Sequence, residues 1–201
     1  MSLKQSLFAF VLPVLIACSS NPVPSTSAQD RGLYHADKPE AVLAAARKLM
    51  ESDENAALVT VDSDGQPRAR TVRAFLSDKN PSDPRASMTV WVMTRDSTRK
   101  VEQVRNHPQA TLYFNDDPKT SYLSVMGQAI VHTNPEHPAL RAILSRKDIE
   151  GYAEYFWPQF PSGFVMIEIR PDWIEFMDPT EIKPQTQNWR PQAVEFGKAA
   201  H

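Results

Sequence analysis

Between residues 56 and 133 the sequence contains several short strand-like runs, separated by turn-forming residues; some alternate between apolar and polar positions, and the run 87–94 is nearly continuously apolar. A period of two is typical of β-strands with one buried face. The first two runs, 56–62 and 66–76, flank the dipeptide Asp64-Gly65, which favours a tight hairpin. Further runs cover residues 87–94, 109–115, 120–133 and 163–178, the last of which Pro171 and Asp172 can divide into a sixth and a seventh strand.

Helical periodicity is confined to shorter segments. Apolar residues from Val42 to Met50 recur at helical spacing, and Asp37 followed by Pro39 is typical of a capped helix start. We expect this helix to end near Ser52. Smaller helices are predicted over residues 98–106, 138–147 and 148–157.

The connections indicate how the strands pair. Most are too short for the crossover that parallel strands need, so the strands must pair antiparallel. The pattern therefore predicts a mainly β fold, a closed or half-closed antiparallel β-barrel of six strands with small peripheral helices. Gly127 lies inside the fifth run, where glycine indicates a bulge or a close approach of another backbone.

The N-terminus has the pattern of a secretion signal. Lys4 precedes an apolar stretch that is too short to span a bilayer, and Leu15-Ile16-Ala17-Cys18 resembles the lipobox of bacterial lipoproteins. This predicts a signal peptide over 1–17, lipid attachment at Cys18 and a membrane-anchored protein of the cell envelope, on the periplasmic side in a Gram-negative cell. The polar residues up to 32 read as a flexible tether. A folded domain would follow over 33–182, with a loosely ordered tail over 183–201.

Composition and charge narrow the class of protein. The formal net charge is −2, and loss of Lys4 with the signal would make it one unit more negative. Proteins that bind nucleic acid usually have a basic excess, so this class is excluded. Cys18 is the only cysteine, so the domain has no disulfide.

A basic cluster stands out between the third and fourth strand runs. Residues 94–108 read TRDSTRKVEQVRNHP, with Arg99 and Lys100 next to the hydroxyls of Ser97 and Thr98. Such a segment can be a solvated loop and helix, or it can be an anion site. The cluster opens a predicted helix, where free N–H groups and the helix dipole favour an anion. Charge-assisted hydrogen bonds from lysine and arginine suit a phosphate.

The order of these elements resembles the pyridoxamine 5′-phosphate oxidase-like family, in particular its general stress protein 26 branch. The similar fragments are ALVTVDSDGQPRARTV (57–72), TVWVMT (89–94), TRKVEQVRNHPQATLYF (98–114) and SVMGQAIV (124–131). The resemblance implies an FMN-binding split β-barrel that usually forms a homodimer, with some binding residues supplied by the partner chain.

The resemblance also implies roles for particular residues. Arg70, together with a hydroxyl, Arg99 and Lys100, would hold the flavin phosphate, with Thr98 or Ser97 as the hydroxyl. Backbone groups of the second and third strands would meet the edge of the flavin ring, and Gln128 on the fifth strand would lie near the phosphate. The ring-edge positions are Thr71, Val72, Met93 and Thr94. Arg105 is expected on the helix surface.

Three functions remain open at this point. The first is a flavin-dependent oxidoreductase acting on an unknown small substrate, in which the flavin supplies the chemistry and no catalytic triad is needed. The second is a flavin-binding stress or carrier protein without turnover, and the third is a haem-binding split barrel. Cofactor F420 is a further option within the superfamily that nothing in the sequence favours.

Other chemistry is not indicated. The sequence has no GxGxxG, Walker or GxSxG motif. His132 and His137 flank Glu136, but they straddle a predicted strand end and a proline, so no metal site is expected.

Overall fold

The computed structural model describes residues 33–116, 118, 120–134, 136–146, 163–179 and 190–197, and these contain nine strands and four helices. The predicted signal peptide, Cys18, the tether and the helix expected over 148–157 lie outside the described residues. The helices are α1 (Pro39–Ser52), α2 (Pro84–Ser87), α3 (Arg99–Asn106) and α4 (Pro138–Leu144). The strands are β1 (Tyr34–His35), β2 (Asn55–Val61), β3 (Pro67–Arg73), β4 (Phe75–Leu76), β5 (Val90–Arg95), β6 (Gln109–Asp116), β7 (Ser121–His132), β8 (Phe164–Met177) and β9 (Gln192–Glu195).

The strands form a barrel that is interrupted at one point. Antiparallel pairing runs in the order β3–β2–β6–β7–β8–β5–β4. Since β3 continues into β4 through Ala74, the path returns to where it began, and β3 with β4 takes one place in a six-strand circuit. The mainly β, split-barrel fold is therefore confirmed. The described residues add two strands that were not predicted, β1 and β9, which pair parallel to each other.

The barrel core is built from the inward positions of alternating strands. Leu58, Leu112 and Val125 lie opposite one another on neighbouring strands, and each is 0% exposed. Helix α3 adds Val101 and Val104 to the same cluster, and α1 adds one face of its own. Because both helices contribute to this core, their positions are fixed relative to the barrel strands.

A second apolar cluster lies on the other face of β5. It joins Trp91 and Met93 to residues of β4, β8 and α4: Phe75, Met166, Leu140 and Ile143. Strand β5 is therefore buried on both faces, which explains why its run reads as nearly continuous apolar sequence.

The predicted irregularity at Gly127 is confirmed. The β7–β8 register shifts between Met126 and Gly127, where Asp172 has no partner on β7. A Cβ atom at Gly127 would lie 1.9 Å from the carbonyl oxygen of Arg170. The bulge also accommodates Pro171, which cannot donate a ladder hydrogen bond. Residues 164–177 consequently form one strand, as the six-strand prediction requires, and the seventh strand that the sequence left possible does not form here.

Two further predictions need correction. Helix α1 begins at Pro39, its N-cap is Lys38, and no side chain caps it. Asp37 therefore lies one residue too far from the helix to serve as the cap. The tail from 183 was expected to be loosely ordered, but residues 192–195 form β9, which pairs with β8 and buries Ala193. Nothing in the alternation of so short a run reveals its distant partner.

No helix within the described ranges combines the length and hydrophobicity that crossing a bilayer requires.

Candidate functional site

The barrel is interrupted between β3 and β5, which do not pair with each other. Strand β3 pairs with β2, and among the described residues no strand lies along its other edge from Pro67 to Val72. Strand β5 pairs with β8, and from Val92 to Thr94 its opposite edge likewise has no neighbouring strand in that part of the chain. Because β4 joins β3 to β5, these two open edges border one space, which we call the β3–β5 cleft.

In an antiparallel pair, every second residue turns its N–H and C=O groups toward the partner strand, and the residues between turn them away. This alternation decides which backbone groups of β3 and β5 face the cleft. The Ala74 N–H donates to the Glu54 carbonyl at 2.7 Å, in continuation of the β2–β3 register, so the backbone groups of Thr71 point away from β2. The Asp96 N–H donates to the Gly163 carbonyl at 2.9 Å, in continuation of the β5–β8 register, so those of Met93 point away from β8. Thr71 and Met93 therefore offer backbone donors and acceptors to the cleft.

The same alternation turns the backbone groups of Val72 and Thr94 away from the cleft. Their backbone groups bond to β2 and β8 respectively, while their side chains point into the barrel. Of the four positions expected to meet the ring edge with backbone groups, Thr71 and Met93 can do so, whereas the expectation for Val72 and Thr94 was wrong because their backbone groups are used within the sheet.

Lys100 is anchored at the end of β5. Its Nζ donates to the hydroxyl of Thr94 at 3.0 Å, and Thr94 is 4% exposed. The hydroxyls of Thr94 and Thr98 are 3.4 Å apart, and the Thr98 hydroxyl donates to the Arg95 carbonyl at 2.9 Å. The Thr98 oxygen therefore accepts a hydrogen bond from the Thr94 hydroxyl. An ammonium has three donors, so two remain on Lys100 for a ligand.

Arg70 reaches the same region from β3. One guanidinium nitrogen donates to the hydroxyl of Thr60 and the other to Oε1 of Gln103 at 2.8 Å. The Thr60 hydroxyl in turn donates to Gln103 Oε1 at 2.7 Å. Gln103 lies on α3, and both it and Thr60 are buried. Three of the five guanidinium N–H groups stay available.

Arg70 lies within electrostatic reach of both Arg99 and Lys100. Burial lowers the pKa of Arg70, and the positive charge of Arg99 lowers it further. Burial likewise lowers the pKa of Lys100, with Arg70 as the second cause. Within the described residues none of the three forms an ion pair with a carboxylate. Positive charges held together without counter-charge provide an electrostatic site for an anion.

The family model described as pyridoxamine 5′-phosphate oxidase matches residues 42–178, which is more than half of the chain.

The chain belongs to the pyridoxamine 5′-phosphate oxidase family.

Solved structures support the fold that this family membership implies. A Clostridium acetobutylicum protein related to general stress protein 26 superposes with a TM-score of 0.59 at 18% identity, covering 78% of this chain and 95% of that one. An FMN-binding protein from Nostoc punctiforme, related to pyridoxamine 5′-phosphate oxidase, gives 0.52 at 15% identity, with coverages of 82% and 99%. No curated protein has significant sequence similarity to the chain.

A haem-binding protein from Mycobacterium smegmatis has a similar fold, with a TM-score of 0.55 at 18% identity. This chain covers 57% of it, and the match covers 77% of this chain. The family's fold therefore occurs in proteins with different ligands, so the fold alone does not name the ligand of this chain.

The structure brings most of the phosphate residues expected from the family resemblance to one place, but not all. Arg70, Thr98, Arg99 and Lys100 lie together at the junction of β5 and α3. Gln128 does not join them: it lies on the outer face of β7, where its amide donates to Asp172 at 3.4 Å. Ser97 is exposed and has no hydrogen bond among the described residues, and Arg105 pairs with Asp96 at 2.6 Å on the surface, as expected.

Sequence reasoning missed Thr60 and Gln103. A signal for each was present. Gln103 lies one helical turn after Lys100 and so can approach the same end of the barrel, and Thr60 is a polar residue at an inward strand position. Neither signal is specific without the hairpin register that sets Arg70 diagonally across from Thr60.

Two of the histidines, His132 and His137, lie together at a different place. The rings of His132 and His137 are 4.5 Å apart beside Trp91, and His132 Nε2 is 2.7 Å from the buried carboxylate of Glu168. This cluster lies on the outer face of β5, β7 and β8, away from the cations. In the part of the chain that the structure describes, no group of three or more His, Cys, Asp or Glu residues is arranged to hold a metal ion.

Proposed function

We propose that this protein binds FMN in the β3–β5 cleft and acts as a flavin-dependent oxidoreductase on a small substrate. The observation that carries the proposal is the convergence of Arg70, Arg99 and Lys100 without a carboxylate partner among the described residues. Such a cluster is costly in the free protein because like charges are held together partly out of water. A phosphate dianion would remove that cost.

Each residue has a role that its geometry supports. Arg70 would grip two phosphate oxygens through its remaining N–H groups, and Lys100 would supply a point charge. The backbone N–H groups of Arg99 and Lys100, which precede the first N–H that bonds back to the Thr98 carbonyl, would add neutral donors. Thr71 and Met93 would meet the polar edge of the ring with backbone groups, in the manner of a neighbouring strand.

The bound flavin would supply the transfer of a hydride or of electrons, and the protein would supply binding, orientation and exclusion of water. The buried faces of β5 make one wall of the cleft rigid, because Val92 packs into the barrel core and Met93 into the outer cluster. A ring held between β3 and β5 would therefore keep a fixed position relative to an incoming substrate.

The visible absorption spectrum of the purified protein tests the proposal. We expect flavin bands, or their appearance after addition of FMN, and release of FMN on denaturation. A colourless protein that takes up no FMN would refute the proposal. Reduction by NADH or NADPH would then separate an enzyme from a carrier, since a carrier without turnover leaves the flavin oxidised with every donor.

Replacing the cations should discriminate between phosphorylated and unphosphorylated flavin. Arg70→Ala and Lys100→Ala each remove a charge-assisted hydrogen bond, and we expect each to weaken FMN binding by roughly 10- to 100-fold. Riboflavin, which lacks the phosphate, should bind nearly as before. Fluorescence titration of both ligands measures the difference.

Arg105→Ala is the matched control, because Arg105 belongs to the same helix but is exposed and paired with Asp96. It should change neither affinity. Equal losses of FMN and riboflavin in the Arg70 and Lys100 variants would show that these residues do not contact the phosphate.

Haem is a second candidate ligand, favoured by the similar fold of the haem-binding protein from Mycobacterium smegmatis. The same spectrum decides between the two ligands. A Soret band would support haem and would direct attention to His132 and His137 instead of to the cation cluster.

A further inference from the structure

We infer that Gln103 and Thr60 are positioning residues for Arg70, and that their lack of charge preserves the preference of the site for a phosphate dianion. The inference rests on the proposed function and deepens it. It concerns how the site distinguishes a phosphorylated ligand from the same ligand without the phosphate.

The contacts define the orientation of Arg70 completely. Both terminal nitrogens of the guanidinium are held, one by each partner, and the two partners are joined by their own 2.7 Å hydrogen bond. Thr60 is 0% exposed and Gln103 is 7% exposed, so water does not compete for these contacts. The carbonyl end of the Gln103 amide must face Arg70, because a guanidinium only donates. The plane of the guanidinium is therefore fixed before any ligand arrives.

Both partners of Arg70 are neutral, whereas several other arginines among the described residues pair with carboxylates. The neighbouring β3 arginines, Arg68 and Arg73, each have a carboxylate at 2.7 Å, and Arg85 and Arg105 are also paired with acids. A carboxylate at position 103 would hold the guanidinium more strongly than an amide does. It would also cancel the charge that the phosphate needs. Neutral acceptors orient the cation and leave its charge uncompensated, which is the arrangement that an anion site requires.

The decisive variant is Gln103→Glu, which keeps the shape of the side chain and adds one negative charge beside Arg70. We expect FMN affinity to fall about tenfold or more, comparable to the loss of one charge-assisted hydrogen bond. Riboflavin affinity should stay within about twofold, since riboflavin makes no use of this charge. The melting temperature should be unchanged or higher, because the repulsion between Arg70 and its neighbours is relieved.

Gln109→Glu is the matched control. It adds the same charge at an exposed position on β6, on the outer face of the sheet, and should leave the ratio of FMN to riboflavin affinity unchanged. Lowering the pH provides a second check on the Gln103→Glu protein. Protonation of the introduced carboxyl makes it neutral again, so the affinity ratio should recover towards that of the wild type measured at the same pH.

If Gln103→Glu does not fold, Thr60→Val replaces it in the test. This variant keeps the volume and the charges but removes one of the two acceptors, and it should lower the affinity ratio by roughly threefold. Suppose that the wild-type protein binds FMN in preference to riboflavin, and that a folded variant has the same ratio of FMN to riboflavin affinity. That result would overturn this inference and leave the proposed phosphate site standing. A wild-type protein with no preference for FMN would overturn the proposed phosphate site itself.

Discussion

Lys100 carries a charge in surroundings that disfavour it. Burial and the nearby Arg70 both lower its pKa below the ordinary lysine value of 10.5. A bound phosphate would act in the opposite direction, because a negative charge stabilises the ammonium. Ligand binding and protonation of Lys100 should therefore be coupled.

This coupling predicts a pH dependence. The phosphate is bound best while Lys100 is protonated, so FMN affinity should fall as the pH rises through the lowered pKa of Lys100, beginning before pH 10.5. The measurement is the ratio of FMN to riboflavin affinity as a function of pH, since the ratio cancels any titration of the flavin ring. Lys100→Arg should keep the ratio constant over the same range, because a guanidinium stays protonated. A ratio that is independent of pH in the wild type would show that Lys100 is not at the phosphate.

At the level of single residues, the sequence predicted the charged side chains of the site better than their neutral partners. Arg70, Arg99 and Lys100 follow a recognisable pattern, and the structure places them together. Thr60 and Gln103 could not be found in this way, because a buried hydroxyl and a buried amide have no distinctive spacing. Their role depends on which strand positions face each other.

The β7–β8 pair is the element in which local geometry is most constrained. Gly127 lies against the backbone of β8, where an added Cβ would meet a carbonyl oxygen, an amide nitrogen and a Cα atom within 2.8 Å. None of these is the end of a flexible side chain, so the strands themselves would have to separate.

Gly127→Ala is therefore expected to destabilise the protein by about 3 kcal/mol, at the upper end of overpacking costs. Chemical denaturation followed by circular dichroism measures the change. Gly197→Ala is the control, because nothing lies within 4 Å of a Cβ atom there and its backbone is unstrained. If the two variants lost equal stability, the close approach of β8 to Gly127 would not be an important constraint.

The elements themselves were predictable where a run was long and strongly patterned. The hairpin of β2 and β3 follows from alternation and from Gly65, which has the positive φ of 77° that its turn requires. The start of β5 was placed too early, because Ser87 ends the short helix α2 that Asp83 caps. The short strands β1 and β9 could not be predicted, since their stability comes from pairing with each other and with β8.

For the whole molecule, alternation and short connections were enough to indicate a barrel of six strands. They could not indicate where the barrel is interrupted. The position of the β3–β5 cleft depends on the change of partner at Ala74, where the chain leaves β2 and joins β5. That change is a property of three-dimensional register, and no single residue signals it.

The predicted attachment to a membrane concerns the whole molecule, because it decides in which cell fraction the protein is found. Cys18→Ala should move the protein from the membrane fraction to the soluble fraction, because no thiol remains for lipid attachment. Ser19→Ala, the adjacent substitution, should leave it in the membrane fraction. Immunoblotting of fractionated cells measures both, and a Cys18→Ala protein that stays with the membranes would contradict the lipobox interpretation.

The edge of β3 that has no strand beside it among the described residues has a consequence for the solubility of the protein. An unpaired strand edge is a template on which any extended chain can add, and natural proteins commonly protect such edges with charge. Here Arg70, Arg99 and Lys100 stand beside that edge, so a second copy approaching edge to edge would bring six like charges into one small region. The same cations that we propose attract a ligand would thus keep the empty protein from polymerising through its own sheet.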